Sequence, residues 1–312
     1  MNIVVPVKKS DSMQLLINSG ADEFYCGVLY DAWIKKYGNS IEFNRRGNYG
    51  KKANFQTLED LCKAVTIAKK NHKNISLTAN ALRINTAQSD LLEPLFLEFK
   101  QAGGSSVIIS DINLIKPVKR TGLNVTLSSC ATVNNIYTAR FYQNLGVNRI
   151  ILPRNITLAD MKEIIYGCPN MEFEAFLMND PCRNVDGNCL GIHHTCYGSF
   201  CSFMDDLQKR YVYFFKGNKF SEKELQQNEK DYQHLFKKAC GLCALYDLMN
   251  CQVSALKLAG RISSPDLISS QIIQIKKYMK IAEQCTSRKQ FINIIQEMSG
   301  LCDNKSNCYY KI

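Results

Sequence analysis

Eight short runs of apolar and β-branched residues punctuate this chain, and each is followed by a longer stretch whose apolar residues recur at helical spacing. The runs are Ile3 to Val7, Glu23 to Val28, Ile75 to Asn80, Ser106 to Ser110, Asn124 to Ser128, Arg149 to Pro153, Met171 to Phe176 and Ser254 to Gly260. Runs of this kind read as strands and the stretches between them as helices. Strands joined through helices lie parallel, because a parallel pair needs a long crossover. Eight such units predict an α/β fold, a TIM-like (β/α)8 barrel, with an open doubly wound sheet as the alternative. Local signals agree with these helix boundaries. Thr57-x-x-Asp60 and Thr157-x-x-Asp160 resemble capping boxes with Asp in the place of Glu, and Ser264-Pro265 sets a cap residue before a first-turn proline. Glycine stands where a helix should stop in "INSGAD" and "KQAGGSS".

Two connections are too long for simple strand-to-helix turns. One runs from about Leu29 to Asn54 and is rich in Arg, Asn, Gly and Tyr. The other runs from Leu177 to about Ala239 and includes the charged stretch Lys216 to Lys238, expected to form an excursion or a helix. Both follow a strand, so in a barrel both open at the end where active sites sit. The organisation read from this is a barrel domain over residues 1–284, a cysteine-bearing loop over 177–243 after strand 7, and a short C-terminal extension over 285–312.

Composition narrows the class. The 312 residues suit one barrel, and a 46% hydrophobic content suffices for a sizeable core. No run of 18 apolar residues occurs, so no membrane span is expected. The opening residues lack a charged segment and a long apolar segment, so no secretory signal is expected. Fourteen cysteines without such a signal point to a reducing, cytoplasmic setting, where cysteines serve metals or catalysis more often than disulfides. The net charge of +11 permits RNA or another anionic partner. Lysine pairs such as Lys35-Lys36 and Lys276-Lys277 read as solvated helix faces.

Six of the cysteines gather in two groups. "PCRNVDGNCLGIHHTCYGSFC" carries Cys182, Cys189, Cys196 and Cys201, and "CGLC" carries Cys240 and Cys243. Iron–sulfur clusters take thiolates from widely separated loop positions, whereas structural zinc prefers two close pairs. Only Cys240-x-x-Cys243 is such a pair, so the spacing suggests a bound metal or cluster and mildly favours iron–sulfur over zinc. His193 and His194 read as exposed loop residues, with at most one placed to serve as a ligand. The remaining cysteines read as small buried hydrophobes, except Cys302 and Cys308, which a polar tail would leave as exposed thiols.

Seven segments in order resemble peptidase family U32, the collagenase-like peptidases, over about residues 1 to 270. They are "GADEFYCG", Asn54-Phe55 after the basic Asn44-Arg45-Arg46, "LTAN" (Leu77 to Asn80), "IISD" (Ile108 to Asp111), "ILPRNITL" (Ile151 to Leu158), "EAFLMNDPCRNVDGNC", and "LKLAGR" (Leu256 to Arg261). The resemblance implies a barrel, a [4Fe–4S] cluster, and prephenate as the oxygen source for hydroxylation of ubiquinone or RNA, with a family paralogue as a hetero-partner. It implies Cys182, Cys189 and Cys201 as ligands, and Cys240 as the fourth with Cys243 as the alternative. The chain departs from the family pattern at Asn179-Asp180 in place of His-Gly, at Asn155 in place of Glu, and at Ala259 in place of Glu. Those losses remove obvious general acids and bases.

Three functions follow as expectations. The first is an oxygen-independent hydroxylase, or a subunit of one, moving oxygen from a prephenate-like donor to an organic or RNA substrate. Arg45, Arg46, Arg154, Lys257 and Arg261 stand at or near post-strand positions and would grip its carboxylates, since guanidinium pairs bidentately with carboxylate. Against this, Arg154 and Lys257 would equally serve by satisfying buried Glu172 or Glu174. The second is a peptidase, but neither G-x-S-x-G nor H-E-x-x-H occurs, and four histidines leave few bases. The third is a non-catalytic RNA- or protein-binding partner with a structural metal. "KRYVYFFKGNK" (209–219) interleaves aromatic and basic residues suited to stacking on single-stranded RNA.

Overall fold

Eight parallel strands close on themselves in sequence order: β1 (Asn2–Pro6), β2 (Glu23–Cys26), β3 (Asn74–Ala79), β4 (Ser106–Ile109), β5 (Asn124–Leu127), β6 (Arg149–Ile151), β7 (Glu172–Met178) and β8 (Ala255–Leu258). The computed structural model of the chain describes residues 1–38, 41–180, 182, 185–188, 239–299 and 308–310. β1 pairs with β8 as well as with β2, so the sheet has no edge and the open-sheet alternative falls away. Each predicted strand is present, with ends shifted by up to two residues. The largest shift is at β7, which runs on to Met178 through an irregular register with β8.

Helices follow the strands on the outside: α1 (Met13–Asn18), α2 (Asp31–Tyr37), α3 (Leu58–Lys70), α4 (Thr86–Ala102), α5 (Ile115–Arg120), α6 (Ile136–Asn144), α7 (Leu158–Gly167), α8 (Leu245–Asn250), α9 (Pro265–Gln284) and α10 (Arg288–Ser299). Thr57, Thr157 and Ser264 cap α3, α7 and α9, each accepting a backbone N–H from three residues on. The threonine caps are half boxes, because the Asp160 carboxylate accepts from the Thr157 hydroxyl instead. The reciprocal capping box lies at Asn85 and Gln88, before α4. Gly103 ends α4 with φ 107°, a left-handed conformation that glycine adopts without penalty.

Strand alternation separates two cores. Ile3, Val5, Phe24, Ile75, Leu77, Val107, Ile109, Val125, Leu127, Phe173 and Leu256 are buried and apolar. Their strand neighbours Glu23, Ser76, Thr78, Ser106, Thr126, Glu174 and Lys257 are buried and polar. Side chains of β2 and β6, on far sides of the barrel, touch each other, so the polar set fills the lumen. Ser76, Ser106 and Thr126 link by hydroxyl hydrogen bonds across β3, β4 and β5.

The described part of the C-terminal extension is docked on the barrel. α10 buries Phe291 and Ile295. Further on, Cys308 bridges Cys240 in a parallel pair, Tyr309 N–H donates to the Cys240 carbonyl at 2.9 Å, and Tyr310 Oη donates to the Phe176 carbonyl at 2.7 Å. Cys308 is therefore a partly buried residue paired beside the end of β7, not the exposed tail thiol that tail polarity suggested. Cys302, Cys189, Cys196, Cys201, His193, His194, the stretch 216–238 and the aromatic–basic stretch 209–219 lie outside the described residues. Among the described residues no helix is long and apolar enough to cross a membrane.

Candidate active site

The lumen holds a four-residue ion cluster. Arg149 donates to Glu23 at 2.7 and 3.0 Å, to Glu172 at 2.7 Å and to Glu174 at 3.4 Å. Lys257 Nζ donates to Glu174 at 2.6 Å and sits 3.8 Å from the centroid of the Tyr25 ring. Burial pushes the Lys257 pKa down, against the pull of Glu174. Burial would raise Glu23, yet Arg149 outweighs it and holds this carboxyl below its ordinary range. Lys257 thus satisfies a buried carboxylate, the blander of its two sequence readings. The arginine that neutralises Glu172 and Glu174 is Arg149, however, and not Arg154.

Arg154 instead lies above the lumen, at the C-terminal ends of the strands. Its Nη1 donates to Asp186 Oδ1 at 2.6 Å and its backbone N–H to Asp186 Oδ2 at 3.2 Å. Its guanidinium lies 3.7 Å from the centroid of the Phe176 ring. Arg45 reaches the same carboxylate at 3.4 Å and donates to Cys130 Sγ at 2.8 Å. Asp186 is 0% exposed; burial would raise its pKa, but Arg154 and Arg45 together hold it below the usual range. Arg46 pairs with Asp180 at 3.2 Å. Glu42 adds a third carboxyl beside these arginines, its pKa raised by burial.

Arg261 is buried and donates to Asn44, Asn54 and Thr78, so it rivets the long connection after β2 to β3. Burial pushes its pKa down to about 10. This explains the second glycine of "GADEFYCG": a Cβ on Gly27 would land on Asn54 Oδ1 and Arg261 Nη1. Gly187 is constrained likewise, because a Cβ there would meet Thr132 Oγ1 and the Cys130 carbonyl. That close approach seats Asp186 between the two arginines. Asn179, which replaces the family's histidine, forms a reciprocal buried amide pair with Gln271 at 2.7 and 2.9 Å. Asn179 and Asp180 both have positive φ and turn the chain as it leaves β7, a conformation that Asn and Asp tolerate better than most residues.

The described thiols gather at the same end. Cys240 forms an antiparallel bridge with Met178, the last residue of β7, and Cys182 follows Met178 by four residues. Cys182 is close enough to contribute to the field at Arg154, raising its pKa together with Asp186 and Tyr309 against the lowering effect of burial. Cys240 Sγ accepts the Leu242 N–H at 3.5 Å, and Cys243 sits in the short turn Leu242–Ala244. Among the described residues no three Cys, His, Asp or Glu side chains converge to hold a metal ion. The described cysteines are soft donors at one strand end, with the buried Arg154 Nε and Tyr309 Oη nearby. They fit half of a four-thiolate set whose other half, Cys189 and Cys201, lies outside the described residues.

Sequence reasoning named Arg45, Arg154, Lys257 and Arg261 but missed Asp186, Cys130 and Tyr309. Asp186 had a faint signal, the Asp-Gly pair between Cys182 and Cys189. Tyr309 had none.

Fold and site together define a (β/α)8 barrel with a mouth lined by guanidinium groups and thiols. The model of peptidase family U32 matches residues 8–310, and the chain belongs to that family. Curated relatives include tRNA hydroxylation protein P of Helicobacter pylori, 27% identical over 192 residues that cover 61% of this chain and 42% of that protein. The protein of that name from Escherichia coli is 27% identical over 191 residues, covering 60% of this chain and 38% of the relative. The match thus spans about two fifths of these relatives' length. Among solved structures, the U32 peptidase Mk0906 aligns with a TM-score of 0.45 at 13% identity, covering 60% of this chain and 73% of that one.

Proposed function

We propose that this chain is an oxygen-inserting redox protein, or a subunit of one, that acts on RNA, with a [4Fe–4S] cluster at the barrel mouth and a small carboxylate as oxygen donor. The observation that carries the reading is the juxtaposition of Cys182, at the end of β7, with the buried Arg154–Asp186–Arg45 group. The RNA substrate is supported by the relatives named for tRNA hydroxylation. In the overall reaction an RNA C–H becomes C–OH, and the donor gives up one oxygen atom and takes up the two electrons that the carbon loses. When bound, the cluster would supply single electrons. Arg154 and Arg45 are held in place by Asp186 and present positive charge to an anionic donor. Lys257 and Arg149 fix the floor beneath them. Cys182, Cys189, Cys201 and Cys240 are the proposed ligands. The Leu242 N–H directed at Cys240 Sγ stabilises a thiolate there and favours Cys240 over Cys243. A peptidase lacks support at the mouth, because the histidine among the described residues, His72, follows α3 at the opposite end of the barrel.

Anaerobic purification tests the cofactor. The chain should be brown, with broad visible absorption and roughly four irons and four sulfides per molecule. Cys182→Ala and Cys240→Ala should lose the colour, and Cys243→Ala should keep it. A colourless chain with one zinc would overturn the cluster.

A further inference from the structure

We infer that Tyr309 and Arg154 together form a subsite for one carboxylate of a small-molecule substrate, the oxygen donor of the reaction proposed above, on which this inference rests. Tyr309 reaches the mouth because the Cys308–Tyr310 segment pairs with Cys240 beside the end of β7. Its ring stacks on Phe176 with centroids 6.0 Å apart and planes 20° apart, and Phe176 also carries the Arg154 guanidinium. The Tyr309 hydroxyl lies in the field of Arg154, Asp180 and Asp186, which places it at the mouth and not toward the helices.

Two donors are left over there. Tyr309 is 9% exposed and the Arg154 side chain 12% exposed. Among the described residues, Tyr309 Oη and Arg154 Nε have no hydrogen-bond partner. Buried polar groups are nearly always paired, and an orphan in a native fold marks the place of a ligand or a catalytic role. Arg154 Nη1 is already committed to Asp186, so the Nε edge is the one left to a ligand. Burial pushes the Tyr309 pKa up, so its phenol stays protonated and donates at neutral pH. An O–H donor beside an N–H donor of a cation calls for a partner that is negative and purely an acceptor, which is what a carboxylate is. The charges agree: Arg45, Arg46, Arg154 and Arg261 face Asp180 and Asp186, and Glu42 is biased toward its neutral form by burial. The low exposure of both donors favours a small carboxylate over the phosphodiester of a polymer.

The test uses Tyr309→Phe in the whole, anaerobically purified chain, which removes the hydroxyl and keeps the ring. Prephenate, phenylpyruvate and inorganic phosphate are the probes, titrated by calorimetry. The parent should bind a carboxylate probe, and Tyr309→Phe should bind it about tenfold or more weakly, the cost of losing one hydrogen bond to a charged group. The unliganded variant should melt no lower than the parent, because the lost hydroxyl has no partner to abandon. Equal affinity in parent and variant overturns the subsite and leaves the RNA reading standing. A variant that melts several degrees lower with unchanged affinity shows a structural hydrogen bond and also overturns it. Binding of phosphate but of neither carboxylate overturns the assignment of ligand. Binding of no probe overturns the subsite and the carboxylate donor together, while hydroxylation of RNA is read separately by nucleoside mass.

Discussion

Asp186 shows how one residue organises the mouth. A carboxylate with no exposure survives there because Arg154 and Arg45 surround it. Asp186→Asn keeps the shape and removes the charge, and should cost about 3 kcal/mol at pH 7, as breaking a buried ion pair does. The pH dependence follows from a folded pKa held below the unfolded value of about 3.9. The stabilisation is fully present above that unfolded value and is lost as pH falls through the lower folded one. Urea unfolding of parent and variant should therefore differ most at pH 7 and converge below about pH 4. A gap that stays constant across that range would show that packing, not charge, holds the residue. None of this pairing is visible in sequence, because Arg45, Arg154 and Asp186 come from three different connections. The arginines were legible from their post-strand positions; their shared partner was not.

At the scale of elements, the strands and caps were legible because their signals are local. β-branched runs, cap residues and stop glycines act within a few positions of themselves. Ser264 accepts the Leu267 N–H and starts the 20-residue helix α9, which packs Ile268, Ile272 and Ile275 on the barrel. Ser264→Ala should lower stability by about 1 kcal/mol and shift the thermal midpoint down by a few degrees. An unchanged midpoint would mean that Pro265 and packing alone set the start of the helix. The end of β7 was less legible. Its extension to Met178 depends on pairing with Cys240, more than sixty residues on, and no local pattern announces such a partner. The same holds for Tyr309, which a polar tail hides from any reading based on periodicity. Chain position suggested an appendage; packing makes it a wall of the site.

Across the whole molecule, the polar lumen and the cationic mouth form one continuous column. Arg149, Glu23, Glu174 and Lys257 neutralise one another below, and the arginine excess stands above them, beside the described thiols. A barrel filled with paired charges is a stiff platform, because breaking any pair leaves an uncompensated buried charge. Such a platform holds the mouth residues in a fixed geometry, which a reaction dependent on oriented small molecules requires. The central claim is that this chain inserts oxygen into RNA. The direct measurement is mass spectrometry of nucleosides from a host that lacks its own family members and expresses either this chain or its Cys182→Ala variant under anaerobic growth. The account predicts a nucleoside heavier by one oxygen atom with the parent chain and none with the variant. An RNA profile identical in both, from cells in which the parent protein carries its full iron and sulfide, would contradict it.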